Sequence, residues 1–213
     1  MLAQVKIFVG ASQSYAANDP NVWVFNDEKA ATLLRNPPSA REMKTESITE
    51  ELRSLLKFQS LYCDDILGNK DLMEETRNAD VVVGELLYLC SSLVADKLSL
   101  PHVILSAATL STPTVVALGL PSPLSYVPQH GVPLTHELKF VDRVKNVLQW
   151  ITLYHFYVFE LCPIFNELKT KHSITPNKSI QETLGRFDLI IGQMNLMLEH
   201  PRPLLPSKYL SVS

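Results

Sequence analysis

The chain has 213 residues, 46% hydrophobic and 19% charged, which suits one globular domain with a sizeable core. A formal net charge of −3, with no basic stripe interleaved with aromatics, excludes a nucleic-acid footprint. Cys63, Cys90 and Cys162 are odd in number and show neither CxxC nor Cys/His spacing, so they predict buried free thiols, not a disulfide scaffold, zinc or any other metal site. Residues 1–10 do not resemble a signal peptide, because Lys6 interrupts a short apolar run and no small-residue cleavage pattern follows. Residues 5–9 predict a first strand, and a second apolar patch follows at 22–25. Asn36-Pro37-Pro38-Ser39 breaks the chain. Ser47-Ile48-Thr49-Glu50 has capping-box spacing, and Ile48, Leu52, Leu55, Leu56, Gln59 and Tyr62 continue one helical face to about Cys63. Residues 64–78 carry like-signed charges at helical spacing, such as Asp71 and Glu75, and read as a solvated face.

Residues 79–106 are the organising stretch. Asp80-Val81-Val82-Val83 is a β-branched run of the kind covered on both faces of a sheet. Residues 86–98 then place Leu86, Leu89, Cys90, Leu93, Val94 and Leu98 at helical spacing, and Pro101 resets the chain before a second strand at 102–106. Strand, helix and strand in succession predict a βαβ unit in a parallel sheet, with ligands collecting beyond the strands' carboxyl ends. Residues 109–133 are rich in proline and leave that rim, so they predict a lid or pocket wall. Residues 135–171 read as mostly helical with a kink at Pro163, and Leu138, Val141, Val144, Leu148, Ile151 and Thr152 share a face. The apolar window 147–165 contains Gln149, His155, Glu160 and Pro163, which predicts a core or interfacial helix and not a membrane span. Trp150, Tyr154, Phe156, Tyr157 and Phe159 crowd it, as core or as a wall facing an apolar ligand or a membrane surface. Ser179-Ile180-Gln181-Glu182 is a second capping box, and 188–192 echoes 80–84 and predicts a third parallel strand. Residues 199–206 form a stiff proline-rich connector, and 209–212 one more strand or a linker.

Motif chemistry is sparse. No GxGxxG, Walker loop, GxSxG elbow, HExxH pair or DxD cluster occurs. Histidines 102, 130, 136, 155, 172 and 200 stand singly, each reading as surface or satisfied core. Glu85 ends a strand beside the proline-rich loop, where a carboxylate either orients a catalytic imidazole or favours the next helix's N-terminal dipole.

Three segments in order carry a resemblance. Residues 63–85 (CDDILGNKDLMEETRNADVVVGE), with Cys90 and 93–100 after them, come first. Ser125-Tyr126-Val127-Pro128 with 140–146 (FVDRVKN) follows, and 201–206 (PRPLLP) closes the series. Together, from about residue 61 to 210, they resemble the amino-terminal half of UDP-glycosyltransferases of the glucuronosyltransferase type. The resemblance implies an α/β fold: a Rossmann-like parallel sheet flanked by helices, like a truncated N-terminal domain of a GT-B glycosyltransferase, with residues 1–213 as a single acceptor-side domain. It implies transfer of a sugar such as glucuronic acid or glucose from a UDP-sugar to a hydroxyl of a small lipophilic acceptor. The UDP-sugar is the co-substrate of the full-length family, and no cofactor site is implied in this chain. Family members use a histidine general base oriented by an aspartate. Glu85 matches that aspartate with one extra methylene, a displacement of about 1 Å that can cost about a hundredfold in rate. The base position matches nothing here, so the general-base histidine, like the donor half, is expected to be absent and the chain alone inactive. Ser106, Thr109, Tyr126, Trp150 and Tyr154 are the expected acceptor pocket. Homo- or hetero-oligomers with full-length members, membrane-surface contact and the lumenal side of the endoplasmic reticulum membrane are further implications. The alternative expectation is a non-catalytic paralogue that captures lipophilic ligands or partner enzymes.

Overall fold

The computed structural model describes residues 6–11, 19, 21–34, 48–85, 88–106, 112–130, 138–192, 203 and 209–211. Contacts gather into two compact units, residues 1–79 and 80–213. In the first, β1 (Ile7–Gly10) pairs in parallel with β2 (Val22–Phe25). α1 (Glu28–Leu34) packs on α2 (Ile48–Gly68), and α3 (Lys70–Thr76) follows after Asn69, whose side-chain oxygen accepts the Leu72 N–H at 3.1 Å. The expected capping residue Ser47 lies outside the described residues. Leu56, Gln59, Cys63, Ile66 and Leu67 form the buried face of α2, so the helix outruns its expected end at Cys63, and Leu55 is turned outward. Phe25 packs edge-on against Tyr62 to close this small core. Asp71 and Glu75 are solvated, as their spacing predicts.

The second unit is the βαβ system. β3 (Val82–Glu85), β4 (His102–Ser106), β5 (Leu189–Gly192) and β6 (Tyr209–Ser211) form one sheet in that order, every pair parallel. Register aligns Val82 with His102, Gly84 with Ile104 and Ile190, and Glu85 with Leu105 and Ile191. Because side chains alternate across a strand, His102, Ile104, Ser106 and Ile190 share one face, and all four are buried. That face is covered by α4 (Cys90–Leu98), α5 (Thr112–Ala117) and α8 (Ile180–Gly185), with Val115, Leu118 and Phe187 joining Ile104 and Ile190 in the core. Gly84 is required here, since a Cβ would collide with the Ser91 hydroxyl of α4. On the other face Val83 is 54% exposed and Leu105 43%. The valine run is therefore covered on one face, not two: its β-branched composition reports strand propensity, and no described element lies over Val83.

α6 (Phe140–Phe156), a π-helical turn (Tyr157–Leu161) and α7 (Cys162–Lys171) form one bent rod. Pro163 has no N–H to donate. Just before it the pattern widens, with the Cys162 N–H bonding the Tyr157 carbonyl, so the expected break or kink at Pro163 takes the form of a π-helical turn. Ser179 caps α8 reciprocally with Glu182, whose carboxylate accepts the Ser179 N–H at 2.7 Å and is held below its ordinary range by that backbone bond and the Ser179 hydroxyl. Of the cysteines only Cys162 is a free, buried thiol; Cys63 and Cys90 are disulfide-bonded. Spacing along the chain says nothing about the Cα separation that a disulfide needs, which is why the expectation of three free thiols fails for two of them.

Candidate functional site

The parallel sheet presents its carboxyl rim at Glu85, Ser106 and Gly192. Glu85 ends β3 and is half-buried, and its carbonyl accepts the Tyr88 N–H at 3.0 Å, which turns the chain toward α4. By register its side chain belongs to the face of Leu105 and Ile191, whereas Ser106 belongs to the covered face and is buried. The two predicted residues thus share a rim but flank opposite faces of the sheet. His102, at the start of β4, lies at the other edge. Burial lowers its pKa against the Arg186 backbone and the Asp188 charge, so the ring is neutral near pH 7, and its Nε2 lies 3.1 Å from the Ser91 hydroxyl.

The remaining predicted residues gather on α6 and the segment before it. Trp150 and Tyr154, one helical turn apart, stack with ring centroids 5.0 Å apart. Trp150 Nε1 is buried without a hydrogen-bond partner among the described residues. Tyr126 sits in a turn closed by its own N–H to the Pro123 carbonyl, and its ring is exposed. Asn146, fully buried one turn before Trp150, binds this turn to the helix. Its amide donates to the carbonyls of Leu124 (2.9 Å) and Val127 (2.8 Å), and its oxygen accepts the Gln129 N–H (2.7 Å). Gln129 in turn accepts the Thr112 hydroxyl at 2.6 Å, tying in α5. The described part of the proline-rich segment is fastened in place: residues 112–117 are helical and 121–130 are held by buried polar groups. Thr109 lies outside the described residues. At the helix bend, burial pushes the Tyr157 hydroxyl and the Cys162 thiol up, so both stay protonated near neutral pH.

Two features escaped the sequence. Asn146 and Gln129 looked like ordinary polar positions in a helix and a loop. Asp96, Lys169, Thr175, Thr183 and Arg186 form a buried ionic knot whose members lie up to 90 positions apart. A shallow cavity of about 300 Å³ beside it is lined by Asn166, Lys169, Thr170, Ser173 and Lys178 and holds none of the predicted site residues.

The sequence pattern of the UDP-glucoronosyl and UDP-glucosyl transferases matches residues 10–211. The chain belongs to this family. Among its relatives, human UDP-glucuronosyltransferase 3A1 is 30% identical over 161 residues, 75% of this chain and 30% of the relative. UDP-glucuronosyltransferase 3A1 of Bos taurus is 29% identical over 74% of this chain. The 2-hydroxyacylsphingosine 1-beta-galactosyltransferase of Rattus norvegicus is 27% identical over 159 residues, again 74% of this chain and 29% of the relative. The chain thus spans about three-tenths of the length of the curated relatives it matches. For a UDP-glycosyltransferase, the parallel sheet with helices packed on it is the expected Rossmann-like N-terminal architecture, and the expected sheet direction is met at every strand pair.

Proposed function

We propose that this chain supplies the acceptor side of a UDP-sugar-dependent glycosyltransferase acting on a hydroxyl of a small lipophilic molecule. The supporting observation is that β3, inside the family-matched region, ends on Glu85 at the carboxyl rim of a parallel sheet, where α/β folds collect ligands. In the transfer, the acceptor oxygen forms a bond to the anomeric carbon as the bond to UDP breaks, with inversion. A neutral hydroxyl must shed its proton as it attacks, so an imidazole takes it, and a carboxylate at position 85 orients that imidazole and stabilises its charged form. Trp150 and Tyr154 offer a flat apolar surface, and the unpartnered Trp150 Nε1 is a donor that an acceptor oxygen would satisfy. Position 85 contributes orientation but no proton transfer of its own, so the isolated chain is expected to bind acceptors without turnover.

The test is direct. Incubated with UDP-sugars and a panel of phenols and sterols, the purified chain yields no glycoside, while the best acceptors raise its Tm independently of UDP, by the mass-action stabilisation that binding to the folded state brings. Trp150→Ala removes most of that rise. Robust product, or no acceptor shifting the Tm, overturns this reading. A second reading, capture of lipophilic ligands or of partner enzymes without chemistry, draws on Glu85 itself, whose extra methylene misplaces the carboxylate. It requires the chain to co-elute with a full-length family enzyme or to bind acceptors with no preference for a free hydroxyl.

A further inference from the structure

Residues 174–180 surface as an arch between two buried isoleucines. Ile174 is 1% exposed and Ile180 0%, while residues 176–179 between them are all exposed. Asn177-Lys178-Ser179, within the arch, is the one Asn-x-Ser/Thr triplet in the chain, and its middle residue is not proline. Both feet of the arch are anchored. On the α7 side, the Thr175 hydroxyl donates to the buried Asp96 carboxylate and accepts from Lys169 Nζ at 2.8 Å, and the Thr175 carbonyl accepts the Lys178 N–H at 3.0 Å. On the α8 side, the Ser179 hydroxyl accepts the Glu182 N–H at 3.2 Å, and Asn166 Oδ1 accepts the Ile180 N–H at 3.1 Å. Asn177 is thus held exposed between two fixed points, where a bulky group on its side chain displaces nothing from the core.

Cys63 and Cys90 supply an independent observation of the chain's surroundings. Both are disulfide-bonded, and disulfides form and persist in oxidising compartments such as the lumen of the secretory pathway, which is where asparagine in such a triplet receives glycans. We propose that Asn177 carries an N-linked oligosaccharide acquired in that lumen. In the transfer, Asn177 Nδ2 forms a bond to the anomeric carbon of an oligosaccharide carried on a lipid pyrophosphate. The bond from that carbon to the pyrophosphate oxygen breaks, the amide loses one proton, and the lipid pyrophosphate leaves. The Ser179 hydroxyl serves twice: it completes the triplet that the transferase reads, and after folding it caps α8 through the Glu182 N–H. The sugar is therefore added before α8 closes on its cap, and the folded arch keeps it in solvent. The inference is independent of the acceptor-side reading.

Directed by an added leader into the secretory lumen of cultured cells, the full chain is expected to run on gels as a slower band that collapses to the unmodified position after treatment with peptide N-glycosidase. That enzyme converts a glycan-bearing asparagine to aspartate, and peptide mapping is expected to find the change at position 177. The same peptide from the protein purified out of its own cells carries the same mark. Asn177→Gln, at an exposed position outside the capping bonds, abolishes the slower band with the circular dichroism spectrum unchanged. Ser179→Thr keeps a hydroxyl for both tasks and retains the band. Alkylation before reduction labels neither Cys63 nor Cys90. Position 177 unmodified in either preparation, a slower band that survives Asn177→Gln, or free thiols at Cys63 and Cys90 overturns the proposal.

Discussion

Asp96 shows how much a single side chain organises in this protein. Its carboxylate is 2% exposed, a placement that would be costly for a lone charge. It accepts from Lys169 Nζ at 3.3 Å, the Thr183 hydroxyl at 2.9 Å, Arg186 at 3.1 Å and the Thr175 hydroxyl, so α4 is joined to α7 and α8 through one group. Thr175 and Ser173 hold positive φ values of 32° and 53°, a strained path for side-chain-bearing residues, and Thr175 is held there by its bonds to Asp96 and Lys169. Burial pushes the carboxyl up, but the hydroxyl bonds from Thr175 and Thr183 and the Lys169 charge outweigh it, and the folded-state pKa lies below the ordinary 3.8. A depressed folded pKa means that the stabilisation is complete above the ordinary carboxylate range and is lost as pH falls through the lower folded value. Asp96→Ala leaves Lys169 buried without its counter-charge, and such a break costs about 3–5 kcal/mol. Urea midpoints should therefore differ widely between Asp96→Ala and the parent at pH 7 and draw together only as pH falls from the ordinary carboxylate value, 3.8, through the lower folded one. A gap of constant size throughout the acid range in which both proteins stay folded would show that the knot is merely packed, not ionic. None of this is legible in the sequence, because the pairing joins residues far apart in the chain and each alone reads as a polar side chain facing water.

At the scale of elements, legibility followed the range of the physics involved. The strands at 82–85, 102–106 and 189–192, the capping box at Ser179 and the interruption ahead of Pro163 depend on neighbours a few residues away, and the structure has all of them. The echo between 80–84 and 188–192 is matched by parallel strands on either side of β4, and the Asp188 carboxylate accepts the His102 N–H at 2.9 Å. Periodicity also found the stripe on α6, yet it could not say which side of the helix the protein covers. Leu138 is buried, while Val141, Val144, Leu148 and Ile151 of the same predicted face are exposed. Buried polar satisfaction decided the matter: Asn146 serves three backbone groups of the 124–129 segment, of which the Val127 carbonyl also accepts from Gln129 Nε2 at 3.1 Å. Asn146→Ala should therefore cost more than a solvent-facing change, about 1–3 kcal/mol per group left unsatisfied. It should also release the 121–130 segment, raising hydrogen exchange at Val127 and Gln129 ahead of that in β4. Uniform acceleration across both would mean that the latch is not local.

For the molecule as a whole, the candidate site was legible as a set of positions but not as an arrangement. Glu85 and Ser106 could be placed at one rim from strand ends alone, but their assignment to opposite faces needed the register, and the attachment of the Tyr126 turn to the helix that carries Trp150 and Tyr154 needed the Asn146 latch. The same register exposes a consequence for behaviour in solution. Parallel sheets are ordinarily covered on both faces, and here Val81, Val83 and Leu105 are exposed at 41%, 54% and 43% on the second unit. A net charge of only −3 and a pI near 6.1 provide little repulsion to keep such surfaces apart. Self-association should be greatest near pH 6 and decline as the chain gains charge on either side. Replacing Val83 and Leu105 with threonine leaves a strand-favouring β-branched side chain at each position and, at exposed sites, should change stability by about 0.5 kcal/mol at most per substitution. It should lower both light scattering near pH 6 and the fluorescence of a dye bound to apolar surface. If scattering persists in that variant but is removed by Leu148→Glu with Ile151→Glu, the exposed side of α6 and not the sheet face drives the association.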